Sequence, residues 1–554
     1  MRSQYRPLWL AVFLAHPLLA FGWGAGHDTI ARTVADRLPE PWRGRLHGEA
    51  LVQFCSDSHY PDNFEAFPLA LVGAEALDTL KAQGIVKRYD LHSDKGRAVA
   101  FCLLVNALKE EQPDRALLWL ACLAHSTADM AACNHDPVVH IATYGWCAKE
   151  WGIKLPNGKP LSEIIWCLDL GWVQDASFGR RVDEELLRDA GSDASSVLLE
   201  IMLYGVRGAE ACAPHGPLVL SAAAELAEAG KPEAGERLKT ELSVLGSWAT
   251  GRILRDFHAA LRLARAGQVP EMTPELLARY EAEMDTFVKT RKLTSERFAQ
   301  SALGPSGVRG PRIGVLIEPF WRMNEGMFGF GDRVLAVQIV NTLRRQGKNA
   351  ELVDVRTYME TGADVLALIV PAQRYASYRT MKTEALDKQL TAYLGAGGKV
   401  VWIGGGKPPA VLCQGMPKEL LVKGENKNWP ETLASFGEGE LVVCGDKGKT
   451  FPCQRLPEGK AGWQWPTNPY VFGAGTETSG VAFAMWRKGE QKEVIGLAWP
   501  KGKPSMAYVP GYAVVPYIWT KETPSLSSLL LELDAAGANV LETALNVLNR
   551  YSID

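Results

Sequence analysis

The stretch Leu123-Ala-His125-Ser-Thr-Ala-Asp129-Met-Ala-Ala-Cys-Asn-His135 places two imidazoles around one carboxylate inside an apolar run. His125 and Asp129 stand one helical turn apart, so a helix puts both on the same face. His135 follows where Asn134 and Pro137 mark the end of that helix. Two imidazoles and a carboxylate are a zinc ligand set, and a carboxylate between two cations can bridge them. The same three residues also fit an ordinary polar surface, so other parts of the chain must decide.

The N-terminus is one of them. Arg2 and Arg6 precede an apolar run from Pro7 to Phe21 that closes on Ala20-Phe21-Gly22. The pattern predicts a secretory signal peptide over residues 1–22. The run is short for a membrane span, although an uncleaved anchor is the alternative. No Cys follows it, which argues against a lipoprotein. Cleavage after Gly22 would expose Trp23 as a new terminus ahead of Gly24-Ala25-Gly26-His27. A free α-amine has a pKa near 8 and can release its proton to a metal, with the Trp23 carbonyl closing a five-membered chelate. Read alone, His27 is a capping or surface histidine at the start of a helix over about Asp28–Leu38. The segments Ser58-His59-Tyr60-Pro61-Asp62 and Tyr89-Asp90-Leu91-His92 each carry a further potential ligand. Alone, Asp62 reads as a turn residue and His92 as a surface histidine.

Taken in order, Trp23, His27, Asp62, His92, His125, Asp129 and His135 resemble the zinc-dependent phospholipase C and S1/P1 nuclease superfamily over roughly residues 23–260. Those enzymes begin, once processed, with a Trp that binds zinc through its amine and carbonyl. An early His, an Asp and another His follow, then His-x3-Asp-x5-His. The resemblance implies that Asp62, His92, His125 and Asp129 hold a first zinc. Trp23, His27 and the shared Asp129 would hold a second, and His135 would open a third site. It makes Asp62 and Asp129 the catalytic carboxylates. In the family a later His-x3-Asp/Glu closes the third site, and this chain has none. His140 is the nearest substitute, with Asp136 one turn before it. The expected cofactor is therefore Zn2+, two or three ions.

The activity implied is hydrolysis of a phosphodiester, phospholipid or nucleic acid, by a secreted or periplasmic enzyme. Zinc makes hydroxide available near neutral pH, and positive charge meets the phosphorus as it becomes five-coordinate. An incomplete third site leaves a second class open: a catalytically weakened metal-binding module coupled to a ligand-binding α/β domain. The nucleases carry a basic residue three positions after the motif Asp and an aromatic after the His matching His92. Here those positions are Glu65 and Ser93, which counts against a single-strand nuclease. A net charge of −3, falling to about −5 when Arg2 and Arg6 leave with the signal, offers no electrostatic help with nucleic acid.

The elements that must position these residues divide near residue 305. A chain of 554 residues needs more than one core. From Trp23 onward apolar residues recur at three and four, as over Arg97–Lys109, Arg115–Ala132, Ala194–Val206, Pro217–Ala229 and Trp248–Ala266. A more polar helix over Glu275–Gln300 ends an all-α domain of residues 23–303. Residues 304–311 are a Gly/Pro linker. Beyond it, β-branched runs at Arg312–Ile317, Ala350–Val355, Val365–Val370 and Lys399–Ile403 alternate with helical stretches at Arg333–Gln346 and Thr383–Leu394. This predicts an α/β domain, residues 312–554, with a mainly parallel sheet. Extra short strands are expected over Val442–Ile518 and a last helix over Ser525–Asn549.

The second domain resembles the class I glutamine amidotransferase-like or flavodoxin-like fold, including non-catalytic versions attached to secreted glycoside hydrolases. The strand ending at Ile403 leads into Gly404-Gly-Gly-Lys-Pro-Pro409, without the nucleophilic Cys of that chemistry. Gly326-Met-Phe-Gly-Phe-Gly331 also fails as a dinucleotide fingerprint. The domain reads as a partner or substrate-presenting module, with a carbohydrate or protein as its ligand. No second hydrophobic span follows. Ten cysteines are too few for a disulfide scaffold. Cys102 and Cys122 read as core residues. Cys133 lies near the ligands, which suffice without it. Cys444 and Cys453 flank a turn-like segment, so either a hairpin disulfide or free thiols fit.

Overall fold

In the computed structural model the described residues are 25–62, 74–83, 91–132, 174–188, 191, 193–212, 214–216, 218–219, 222, 225, 232–290, 308–317, 331–371, 383–403, 438–444, 449–454, 480–509, 533 and 535–550. The chain separates into two compact units. One holds Met1–His135, Lys154–Cys212 and Gly235–Met284; the other holds Asp136–Ile153, Ala213–Ala234 and Asp285–Asp554. The first is helical and the second is α/β, which matches the expected multidomain class. Among the described residues no helix is long and apolar enough to cross a membrane.

The helical unit comprises α1 (Ala25–Arg37), α2 (Trp42–Arg45), α3 (Glu49–Asp57), α4 (Ala74–Ala82), α5 (Asp94–Lys109), α6 (Pro113–Ala131), α7 (Phe178–Leu186), α8 (Ala194–Met202), α9 (Tyr204–Cys212) and most of α10 (Pro232–Arg265) and α11 (Pro274–Thr290). Helix α6 is the hub. Pro113 starts it, where a missing N–H costs nothing. From Leu118 to Ala131 every residue is buried, so the helix is wrapped rather than amphipathic. It packs on α1, α3, α5 and α9. Helix α5 starts at Ser93, whose hydroxyl accepts from the Gly96 N–H at 3.0 Å.

Two expected helices differ. The stretch Ala194–Val206 is not continuous: it turns at Leu203, which lets α8 pack on α5 while α9 packs on α6. The helix expected from Trp248 begins at Pro232 and runs 34 residues. Its first turns carry Gly235, Glu236 and Lys239 between the buried Ala234, Leu238 and Leu242, which masks the periodicity in sequence.

The second unit is built on β1 (Ile313–Ile317), α12 (Gly331–Arg345), β2 (Ala350–Asp354), α13 (Val355–Thr361), β3 (Ala367–Pro371), α14 (Thr383–Gly395), β4 (Lys399–Ile403), β5 (Glu438–Val443), β6 (Lys449–Gln454), β7 (Val481–Lys488), β8 (Gln491–Trp499), β9 (Met506–Val509) and α15 (Ala535–Arg550). One sheet of order β2-β1-β3-β4-β9-β8-β7-β5-β6 joins all nine strands. β2, β1, β3, β4 and β9 are parallel, and the remaining pairings are antiparallel. The sheet is thus mixed, where a mainly parallel one was expected, because the extra strands extend it instead of forming a separate layer. The reason is local: Lys488 pairs with Gln491 across a two-residue turn led by Gly489 at φ 58°, which forces a hairpin.

β1, β3 and β4 are buried along their whole length, as expected where helices cover both faces. Trp402, Tyr358, Leu390 and Tyr508 share the core. Lys399 Nζ donates to the Leu548 carbonyl at 2.6 Å, tying the last turn of α15 to β4. The segments Gly404–Pro409 and Gly326–Phe330 lie outside the described residues.

The hairpin disulfide is not formed. Cys444, just beyond β5, is not disulfide-bonded, and the β5–β6 register sets Cys453 opposite Gly439, at the other end of the strand. Five residues of strand separate the two levels by about 16 Å, far beyond the reach of a disulfide.

Candidate metal centre

Each donor reaches the centre of the helical unit for a local reason. His27 is the third residue of α1, whose buried Ile30, Ala31, Val34 and Ala35 hold it against the bundle. Asp62 ends the turn after α3, where its N–H donates to the His59 carbonyl at 3.2 Å. His92 precedes the cap of α5. His125 and Asp129 lie on α6, and neither is exposed to solvent.

The distances describe a small polyhedron. His92 Nε2 lies 3.0 Å from His125 Nε2. It is 3.2 Å from Asp62 Oδ1 and 3.4 Å from Asp129 Oδ2. His125 Nε2 is 3.7 Å from the same Asp62 oxygen and 3.5 Å from the same Asp129 oxygen. Four donors at zinc-like bond lengths around one cation stand about 3.3 Å apart along each tetrahedral edge. Five of the six edges are thus on hand, each within half an ångström of that value. The other Asp129 oxygen, Oδ1, faces His27 Nε2 at 3.2 Å. This contact is close without hydrogen-bond geometry, and neither ring nitrogen of His27 has a hydrogen-bond partner among the described residues. A fully buried imidazole left so is costly unless something further satisfies it. The His27 and His125 rings stack at 3.8 Å and 15°.

Electrostatics favour the ligating forms. Burial, reinforced by His27, holds His125 well below the usual histidine range, so its imidazole is neutral. Burial opposes the Asp62 carboxylate, but His125 and His92 outweigh it and keep its pKa below the usual value. The donor set is chemically that of a divalent cation: imidazole nitrogens and carboxylate oxygens, with His125 held neutral, Asp62 held ionised and little water.

Behind the donors stands Arg97, wholly buried on the first turn of α5. Its guanidinium donates to the His92 carbonyl at 2.8 Å and reaches Met130 Sδ at 3.3 Å. It also pairs with Asp94, whose other oxygen accepts from Tyr280 of α11. Arg97 therefore holds the backbone of one donor and touches the residue after another. On the far side, Gly208 brings α9 against α6: a Cβ there would stand 1.9 Å from the Met130 carbonyl oxygen.

Of the residues expected in the site, His27, Asp62, His92, His125 and Asp129 come together. Trp23, His135 and His140 lie outside the described residues, as do Cys133 and Glu65. Burial makes His27 part of the centre, where its sequence alone reads as a cap. His59, noted only as a potential ligand in its segment, also belongs to the group: its donor atom lies within 4.8 Å of donors from Asp62 and His125. Its position three residues before Asp62 was the one signal in the sequence. Nothing there pointed to Arg97 or to Asp28, which accepts from His59 Nε2 at 2.9 Å.

Comparison with protein-family models, with curated proteins and with solved structures gave no match. The chain does contain buried histidine and aspartate groups that could hold a metal ion.

Proposed function

We propose that the helical unit is a secreted zinc-dependent phosphodiester hydrolase of the phospholipase C/nuclease type. The observation that supports this best is the four-donor set of Asp62, His92, His125 and Asp129, with the second Asp129 oxygen turned to His27. Three or four nitrogen and oxygen donors at tetrahedral spacing favour zinc over the hard cations, which take six or more oxygens. Asp62, His92, His125 and Asp129 would hold one ion, and Asp129 with His27 would serve a second beside the Trp23 terminus. Zinc bound there supplies Lewis acidity and brings the ionisation of water near neutral pH.

The chain's own residues do the rest. His125 presents a neutral imidazole because burial forbids its proton. The Asp129 carboxylate keeps His27 and His92 on its two sides. Arg97 fixes the turn that carries His92. Ser93 caps α5 and offers no ring on which a base could stack, which favours a lipid or general phosphodiester over single-stranded nucleic acid. The α/β unit is assigned to binding, of a carbohydrate or protein ligand.

The test uses protein processed to Trp23 and purified without chelator. We expect about two zinc ions per chain and hydrolysis of bis(p-nitrophenyl) phosphate that chelation abolishes and zinc restores. Phospholipid vesicles should be cleaved faster than single-stranded DNA. Less than one equivalent of zinc after reconstitution would end the proposal. Full metal without turnover on any of these substrates would favour the metal-binding module.

A further inference from the structure

His59 stands apart from the ligands that the centre was expected to contain, yet it is placed like one. Its imidazole meets the His27 ring edge-on at 5.9 Å and the His125 ring at 6.4 Å. Its donor falls within 4.8 Å of donors from Asp62 and His125, both members of the four-donor set. Its side chain is 17% exposed against 42% for Asp28, so it faces inward from the rim while its partner faces out. A plain surface ion pair between a histidine and an aspartate would need none of this and would contribute little.

The hydrogen bond to Asp28 supplies the second half of the argument. Metal-ligating histidines commonly give their other ring N–H to a carboxylate, which fixes the tautomer and the ring plane. His59 Nε2 does so to Asp28 Oδ1 at 2.9 Å. Asp28 directly follows His27 on α1, so one turn of helix provides both a donor and the group that orients another. We propose that His59 is a metal ligand of this centre, oriented by Asp28, which is a positioning residue. His59 shares Asp62 and His125 with the four-donor set, so it joins that ion as a fifth side chain instead of building a separate site. Zinc tolerates this change from four to five ligands. The inference rests on the metal-centre reading above.

Cobalt(II) reports it directly, because its visible absorption is strong when four-coordinate and weak when five-coordinate. The full processed chain is stripped, titrated with cobalt and with zinc, and compared with His59→Phe and Asp28→Asn. For His59→Phe we expect at least tenfold weaker zinc binding and a more intense, shifted cobalt spectrum. For Asp28→Asn we expect a loss of about 10–100-fold in affinity with unchanged stoichiometry and a spectrum close to the parent's. If His59→Phe does not fold by circular dichroism, His59→Gln is read in its place. Unchanged affinity together with an unchanged cobalt spectrum in the His59 variant would reduce the pair to a surface contact. A parent chain that binds no cobalt would remove the metal centre itself, and the two failures are distinguishable.

Discussion

Gly208→Ala tests whether the packing of α9 on α6 maintains the centre. A Cβ at position 208 would stand 1.9 Å from the Met130 carbonyl oxygen and 2.7 Å from its carbonyl carbon, where ordinary contact starts at 3.4 Å. The obstructing atoms are backbone, so no rotamer change relieves the clash. The two helices must part by about 1.5 Å, and overpacking of this kind costs about 1–3 kcal/mol. Alanine returns about 1 kcal/mol through helix propensity. A net loss of about 1 kcal/mol follows, or roughly 2–4 °C in Tm for a unit of this size. Met130 adjoins Asp129, and the donor edges span only 3.0–3.7 Å. A shift of about 1 Å there should weaken zinc binding at least tenfold, since constellations of this kind tolerate only about 0.5 Å. Thermal melts of stripped protein read the first effect and zinc titration the second. Gly395→Ala is the control, because a Cβ there meets nothing within 4 Å. If Gly208→Ala melts at or above the parent temperature with unchanged zinc affinity, the close approach does not matter to the centre.

Asp129→Asn should lose most of the bound zinc, because one carboxylate serves both the His92–His125 side and the His27 side; elemental analysis showing full metal would refute the shared role. A chain extended by a single Gly before Trp23 should bind about one zinc fewer than the processed chain and lose activity, because an amide nitrogen has no basic lone pair to give. Equal zinc and equal rates in the two would remove the terminus from the site. A third prediction concerns Asp256, buried on α10, which accepts from Tyr204 at 2.6 and 2.8 Å and faces Arg255 and Arg252, with Glu200 and Glu185 beyond. Burial raises its pKa to about 6, above its unfolded value near 4, so its stabilising contribution is complete below pH 4 and disappears as pH rises through 6. Asp256→Asn should therefore flatten the fall in stability between those pH values, worth about 1–3 kcal/mol by urea denaturation, and an unchanged slope would refute it.

The His125–Asp129 spacing was legible because helical periodicity alone sets both side chains on one face, and the structure places His125 Nε2 3.5 Å from Asp129 Oδ2. Strands β1, β3 and β4 were legible because buried parallel strands read as nearly unbroken apolar runs. His59 was visible as a residue but not as a member of the centre, since its link runs through Asp28 on another helix. Arg97 was hidden in the same way: its partners His92, Asp94, Met130 and Tyr280 lie on three helices and a turn, and a lone Arg in a helical run looks like a solvated charge. Register decides between the two readings of Cys444 and Cys453, against the disulfide, and a turn-like segment does not reveal register. Position 203 likewise gave no breaker residue, and the turn there follows from the different packing partners of α8 and α9.

Every described donor lies between His27 and Asp129, a contiguous stretch of chain, whereas α9, which closes on the end of α6, comes later. A chain made from its N-terminus meets these two parts in sequence. Between the end of α6 and the start of α9 lie roughly 70 residues, which take about 4–15 s to synthesise at 5–20 residues per second. During that interval a helix that the finished fold buries from Leu118 to Ala131 has one face open to water, at the very place where the donors gather. A chain halted there offers ligands on an unsealed, adhesive bundle, so premature metal capture and self-association are the failure modes that its order of elements invites.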